Sequence, residues 1–340
     1  MRRRALLSAP LLLPAAAAAR EARDGAGRTV RLPGKVARVL PAGPPAAILL
    51  YTLAPDALLG WPARPPSPAE AAFLDTRAAE LPEIGRLTGR DNTANIEQVL
   101  RHRPDLVLDY GAVRGTFVSL AERVQEQTGL PALLFDGALP RIPETYRRLG
   151  EILEREKAAE ARADLAEGII AEAQATAQRL AGRRPRVLYV RGPRGLETGL
   201  QGSINTEILE FAGAENVAAR GLGPGGLSPI SMEQVLAWNP DWVIGIHPDF
   251  PDFARRDPLW SAVPAVRARR LALAPFLPFG WVDFPPSVNR LLGLIWLPVL
   301  WGAAPAEGLA RRVADFHALF YHRRPEPAQV EALLRNALPR

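Results

Sequence analysis

Ile96-Glu97-Gln98-Val99-Leu100 runs on to Pro104-Asp105-Leu106-Val107-Leu108, and Met232-Glu233-Gln234-Val235-Leu236 runs on to Pro240-Asp241-Trp242-Val243-Ile244. The two stretches are near-copies with the same internal spacing. Each reads as a short helix, a Pro-Asp step and a buried strand. Asn95 and Ser231 are good N-caps, and Gln98 and Gln234 sit three residues on, where a capping-box partner belongs. Glu97 and Glu233 then fall in the first helical turn, at the positive end of the helix dipole, where a carboxylate stabilises the helix. The pattern recurs once, 136 residues later (97 to 233), which is too wide for a solenoid. It implies two similar lobes.

The flanking chain alternates strands and helices around both copies. Before the first come a short edge hairpin at Arg28–Pro33, a strand at Val36–Leu40, a helix at Ala46–Leu53 and a strand at Leu58–Trp61. After it come the strand Leu106–Asp109, a helix at Thr116–Thr128 and a strand at Ala132–Phe135. This is the pattern of a mainly parallel α/β sheet. An Ala/Glu/Arg-rich run from Pro143 to about Leu180 predicts one long helix, on the order of 50 Å at 1.5 Å per residue. Beyond it the alternation resumes, with strands at Arg186–Val190, Trp242–Ile246 and Arg270–Ala274. Phe276–Pro286 reads as an aromatic loop and is followed by helices to the end. The expected division is a signal segment at 1–19, an N-terminal lobe at 20–142, a connecting helix at 143–182 and a C-terminal lobe with C-terminal helices at 183–340.

The 340 residues and 48% hydrophobic content suit two ordinary domains. Arg2-Arg3-Arg4, the apolar stretch Ala5–Pro14 and the small residues Ala15–Ala19 read as a secretory signal, through either the Sec or the twin-arginine route. The chain is therefore expected in the periplasm, with the signal removed. There is no cysteine, which excludes disulfides, thiolate chemistry and a lipid-modified cleavage site. A soluble monomer is expected. The formal charge of +6 falls to +3 without Arg2, Arg3 and Arg4. No basic block interleaved with aromatics points to nucleic acid.

With these residues laid out, the chain resembles the periplasmic binding proteins that serve ABC importers of ferric siderophores, haem and cobalamin. The marks are the paired Glu-bearing helices before Pro-Asp strands, Gly213-Ala214-Glu215-Asn216, and Phe279-Gly280-Trp281 through Pro285-Pro286-Ser287-Val288-Asn289-Arg290. The resemblance implies an α/β fold of two Rossmann-like lobes joined by a single long helix, with the ligand in the cleft between them. It implies that Glu97 and Glu233, one per lobe, dock onto arginines of the permease dimer in the inner membrane. It also implies a transport role without covalent chemistry or an intrinsic cofactor. The expected ligand is a small anionic one, a ferric chelate first. Haem, cobalamin, and molybdate or tungstate, which a smaller branch of similar proteins binds, stay open.

Tyr110, Arg114, Arg191 and His247 each follow an expected strand, where open α/β sheets expose their ligand loops. Arginine offers planar, bidentate donors to an oxyanion, so Arg114 and Arg191 form a candidate clamp from opposite lobes. Tyr110 is a candidate for stacking or, if ionised, for ferric iron. Exposure or a local hydrogen bond is the plain alternative for each. Trp281, with Phe276, Phe279 and Phe284, is a candidate apolar wall, the alternative being packing within its own lobe. Phe284 is expected to pack, and Gly280 to let the backbone approach a ligand. His102, His317 and His322 read as surface residues.

Two rivals remain. One is an exported metal-dependent enzyme built on His247, Asp249 and Asp252. The other is a sensor subunit that binds the same ligand. Gly221–Gly226 lacks the Lys-Ser/Thr of a phosphate loop, and Gly-x-Ser-x-Gly is absent.

Overall fold

The structure, a computed structural model, describes residues 20–88, 96–335 and 337–338, without the side chain of Gln98. The expected signal segment and the Asn95 cap lie outside the described residues. The described residues open with an antiparallel hairpin, β1 (Arg20–Arg23) and β2 (Thr29–Leu32). Asp24 buries its carboxylate in the turn, accepting from the N–H groups of Ala26, Arg28 and Leu134 and pairing with the Arg28 guanidinium. That fastens the hairpin to the first lobe.

The N-terminal lobe is a parallel sheet ordered β3 (Val39–Pro41), β4 (Leu106–Gly111) and β5 (Ala132–Asp136). Its helices are α1 (Pro44–Leu53), α2 (Pro68–Ala71), α3 (Thr76–Glu80), α4 (Ile96–Arg101) and α5 (Gly115–Thr128). The strand expected at Leu58–Trp61 is reduced to isolated bridges, Leu58 to Val39 and Trp61 to Glu83. After α6 (Ile142–Leu153) and α7 (Glu156–Arg179), the C-terminal lobe adds β6 (Arg186–Val190), β7 (Glu197–Gly199), α8 (Glu207–Phe211), β8 (Glu215–Asn216), α9 (Val217–Leu222) and β9 (Leu227–Pro229). It continues through α10 (Met232–Trp238), β10 (Trp242–Gly245), α11 (Phe250–Arg256), α12 (Pro258–Ala262), α13 (Pro264–Arg267) and β11 (Leu271–Leu273). Its main sheet is parallel, ordered β11-β10-β6-β8, while β7 and β9 form a small antiparallel pair. Helices α14 (Arg290–Leu300), α15 (Leu309–Phe320) and α16 (Pro327–Leu334) complete the described chain.

The connecting run differs from its expected form. One helix over 143–182 becomes two, because Glu154 adopts the left-handed conformation (φ 57°) and reverses the chain. Gly150 is the residue that lets α6 lie close against α7, since a Cβ there would strike the Ala159 methyl. Arg147 on α6 reaches Glu160, Asp164 and Glu167 on α7. The long connecting helix is thus α7 alone, 24 residues, about 36 Å.

The tail does not stay with the second sheet. Tyr51 on α1 donates its hydroxyl to the Tyr321 carbonyl at 3.0 Å. Arg162 on α7 donates to the Leu319 carbonyl at 2.7 Å. Residues expected to complete the C-terminal lobe therefore also close the N-terminal one. His317, expected at the surface, is buried between the rings of Phe73 and Tyr321, and His322 bonds the Tyr51 carbonyl.

The repeated stretch has a matched physical cause in both lobes. Asp105 Oδ2 accepts from Arg38 N at 2.9 Å, and Asp241 Oδ2 from Arg186 N at 2.8 Å. Each Asp N–H returns a bond to the carbonyl of the same arginine. The guanidinium of Arg38 then caps α4 through the carbonyls of His102 and Arg103, and that of Arg186 caps α10 through Trp238 and Asn239. The Pro-Asp step and one arginine so fix each helix to the first strand of its own sheet.

Candidate functional site

The C-terminal edges of the two sheets meet at a pinned interface. Arg290, fully buried at the start of α14, donates to the carbonyl of Gly137 just beyond β5 at 2.6 Å, and to Glu207 Oε1 at 2.6 Å. The same Glu207 oxygen accepts from Leu139 N at 3.1 Å. Ser287 Oγ donates to the Pro45 carbonyl, and the Phe279 ring packs between Trp61 and Tyr321. The segment from Phe279 to Arg290 is therefore fastened to both lobes.

Asp283 is the hub of that segment. Its side chain is inaccessible and accepts four hydrogen bonds. They come from Tyr189 hydroxyl, Arg191 Nη1, Asn205 Nδ2 (2.8 Å) and Phe284 N (2.6 Å). Glu197 takes Arg191 Nε at 2.8 Å. The charge expected to clamp an anion from the C-terminal lobe is thus matched by two carboxylates of its own lobe. Burial and the Asp283 charge push the Tyr189 phenol well above the usual tyrosine range.

Phe284 departs from its expected packed state. It is 70% exposed, holds a left-handed backbone (φ 65°), and lies with one ring face 5.6 Å from the Arg191 guanidinium carbon. A bulky residue in that conformation is strained and persists only where its surroundings over-determine it. Here the Asp283 bond to its N–H does so. Trp281, in contrast, is 0% exposed and belongs to the core, so it forms no surface wall. Gly280 is required by its own loop, because a Cβ would strike the Asp283 carbonyl.

Tyr110 is also buried, at 1% exposure. Burial pushes its phenol above the usual range and the Arg290 charge only partly opposes this, so the hydroxyl stays protonated. The phenolate role has no support in this placement. Its neighbour Asp109 is buried too, accepting from Thr88 hydroxyl and Tyr110 N, and its pKa is pushed up to about 6 by desolvation. Arg114 lies at the other extreme. It precedes the first turn of α5, past the C-terminal end of β4, and its side chain is exposed. His247 follows β10, with Nδ1 accepting from Asp249 N at 3.3 Å. Asp252 pairs instead with Arg255 and Arg256. Among the described residues, no group of three metal-ligating side chains converges.

Glu97 and Glu233 are exposed on α4 and α10. Ser231 and Gln234 form the expected capping box, and hydrogen bonds from Ser231 and from the backbone at Glu233 hold the Glu233 carboxyl below the usual range. Sequence reasoning missed Asp283, Asn205, Glu207 and Arg290. Arg290 stood in the motif already singled out, but nothing local marks the hub. The other motif is structural: Gly213 (φ 85°) crosses α7 where a Cβ would meet Ala177, and Asn216 caps α9.

Two α/β lobes with parallel sheets, facing edges and one connecting helix define a two-lobed binding-protein fold. Residues 74–276 match the family model described as periplasmic binding protein, and the chain belongs to that family. No curated protein sequence matches it. Solved structures of the same fold include an ABC transporter solute binding protein from Sulfurospirillum deleyianum, 24% identical at a TM-score of 0.83, covering 93% of this chain and 99% of that one. A periplasmic solute binding protein from Veillonella parvula is 22% identical at 0.74, covering 94% and 97%. The molybdate-bound periplasmic binding protein MolA of Haemophilus influenzae is 20% identical at 0.69, covering 90% and 99%. Among the described residues no helix is long and apolar enough to cross a membrane.

Proposed function

We propose that the chain is the exported solute-binding subunit of an ABC importer, that it captures an anionic metal chelate, a ferric siderophore first, and that it delivers this to a permease dimer docked through Glu97 and Glu233. Phe284 carries the choice of a chelate. A strained, exposed ring backed by a guanidinium suits a ligand with broad π or apolar surface. A bare oxyanion has no use for it. Of the two arginines at the strand ends, Arg114 has no carboxylate partner among the described residues and supplies the cation, because Arg191 is already neutralised. Molybdate is the second reading, favoured by Arg114 standing at the N-terminal end of the 14-residue helix α5.

Calorimetric titration with ferric catecholates, ferric hydroxamates, haem, cobalamin and molybdate tests both. The expected binder is a chelate whose affinity falls about tenfold in Phe284→Ala and by a similar factor or more in Arg114→Ala. Binding of molybdate alone, unchanged by Phe284→Ala, overturns the chelate reading.

A further inference from the structure

We infer that Leu100 and Leu236 are apolar anchors for the membrane partner, one beside each docking glutamate. The inference rests on the docking reading of Glu97 and Glu233 and names the rest of that surface. In α4, Val99 is buried and Ile96 is partly covered; in α10, Met232 and Val235 are buried. Helical spacing then turns positions 97 and 100, and 233 and 236, outward on one face. The leucines are 46% and 41% exposed. A single exposed leucine means nothing. Two at equivalent points of a repeat, each three residues after an exposed glutamate, are a matched pair.

The surroundings sharpen the partner's chemistry. Neighbouring positions are not shared: Arg101 follows one leucine and Ala237 the other. Of the four residues that recur, Glu-Gln-Val-Leu, the glutamate and the leucine are exposed in both copies and the valine is buried in both, so a partner that reads both lobes through them must offer a cation beside an apolar recess, and must offer it twice. Two copies of one polypeptide do this without further design. Arg38 and Arg186 hold the two helices rigidly to their sheets, so the sockets meet preformed surfaces. An apolar contact beside an exposed ion pair also excludes water, without which such a pair contributes little.

The test uses the full chain in its native host, with a benzophenone amino acid at position 101 or 237, both exposed. Irradiation should link the same polytopic inner-membrane protein from either position. Leu100→Ser with Leu236→Ser should cut both adducts about tenfold and leave the melting temperature unchanged. Glu97→Arg with Glu233→Arg should abolish them. Adducts lost in the glutamate variant but full in the leucine variant would overturn the anchors and leave the docking reading standing. Different proteins captured from the two positions would overturn the claim that the two leucines serve one partner. Adducts and uptake both unaffected by the glutamate variant would overturn the docking reading itself.

Discussion

Asp283→Asn isolates the hub on which the candidate ligand surface depends. The carboxylate has four donors on two oxygens, and both oxygens are acceptors. An asparagine keeps one acceptor. If its oxygen stays with Asn205 and Phe284, its amide N–H₂ faces the Arg191 guanidinium and the Tyr189 hydroxyl. Removing one partner of a buried ion pair costs about 3–5 kcal/mol when the other charge is stranded. Arg191 retains Glu197, which is partly exposed and 2.8 Å away, so about 2–4 kcal/mol is expected here. For a protein of this size that lowers Tm by roughly 3–6 °C.

The same change should reach the ligand. The neutral amide oxygen is a weaker acceptor for the Phe284 N–H than the carboxylate, and the Arg191 guanidinium that backs the ring is left to Glu197 alone, so the ring loses support on both counts and should relax toward its own lobe. Affinity for the chelate identified by titration should then fall as far as in Phe284→Ala, about tenfold. Differential scanning calorimetry gives the stability and isothermal titration the affinity, on the same preparations. An unchanged Tm would refute the charge argument. A lowered Tm with full affinity would refute the claim that Asp283 positions Phe284.

Two further outcomes concern pH. Asp109 carries a pKa raised to about 6 by burial, so the folded state binds its proton more tightly than the unfolded chain. Its favourable contribution is complete below the unfolded value near 3.9 and is lost as pH rises through 6. Asp109→Asn should therefore stabilise the protein by roughly 1–3 kcal/mol at neutral pH, and urea melts should show the gain vanish below about pH 4. His317 is the opposite case, held near pKa 3 by desolvation. Its contribution is present above about 6.5 and declines by roughly 1.4 kcal/mol per pH unit toward 3. His317→Phe should flatten that acid limb, and an unaltered slope would contradict the assignment.

The lobes and their parallel sheets were legible because each rests on local patterns: the Glu-bearing helix, the Pro-Asp step and the apolar strand. Their cause was not. Arg38 and Arg186 lie far from the helices they cap, and sequence periodicity carries no sign of such a contact. The break at Glu154 was hidden because a left-handed glutamate in an Ala/Glu/Arg run looks helical, and only Gly150 against Ala159 reveals the reversal. The candidate site was read from strand ends, which locates loops but not the side chains that emerge from them. Tyr110 and Trp281 turn inward, Arg191 finds two carboxylates, and Phe284 is exposed with its N–H donated to the carboxylate of the residue before it. Each outcome depends on partners distant in sequence or on one backbone angle.

The pinned interface also limits how a solute enters. Separating the lobes would break the bonds from Arg290 to Gly137 and from Leu139 to Glu207. Hydrogen bonds to charged groups contribute about 1.5–3 kcal/mol each. It would also uncover Phe279 between Trp61 and Tyr321. A gap of that size leaves the opened form at or below about one per cent. An opening that breaks these bonds is therefore expected to be rare in the unliganded protein. Phe284, exposed and held in a left-handed backbone, can shift without breaking any of them. Helices α4 and α10, fastened by Arg38 and Arg186 to sheets that the interface holds together, should then keep one separation whether a solute is bound or not. If the proposed docking through Glu97 and Glu233 holds, the spacing of the glutamates carries no information about the solute, and a distance measured between spin labels at positions 101 and 237 should not change when the solute is added.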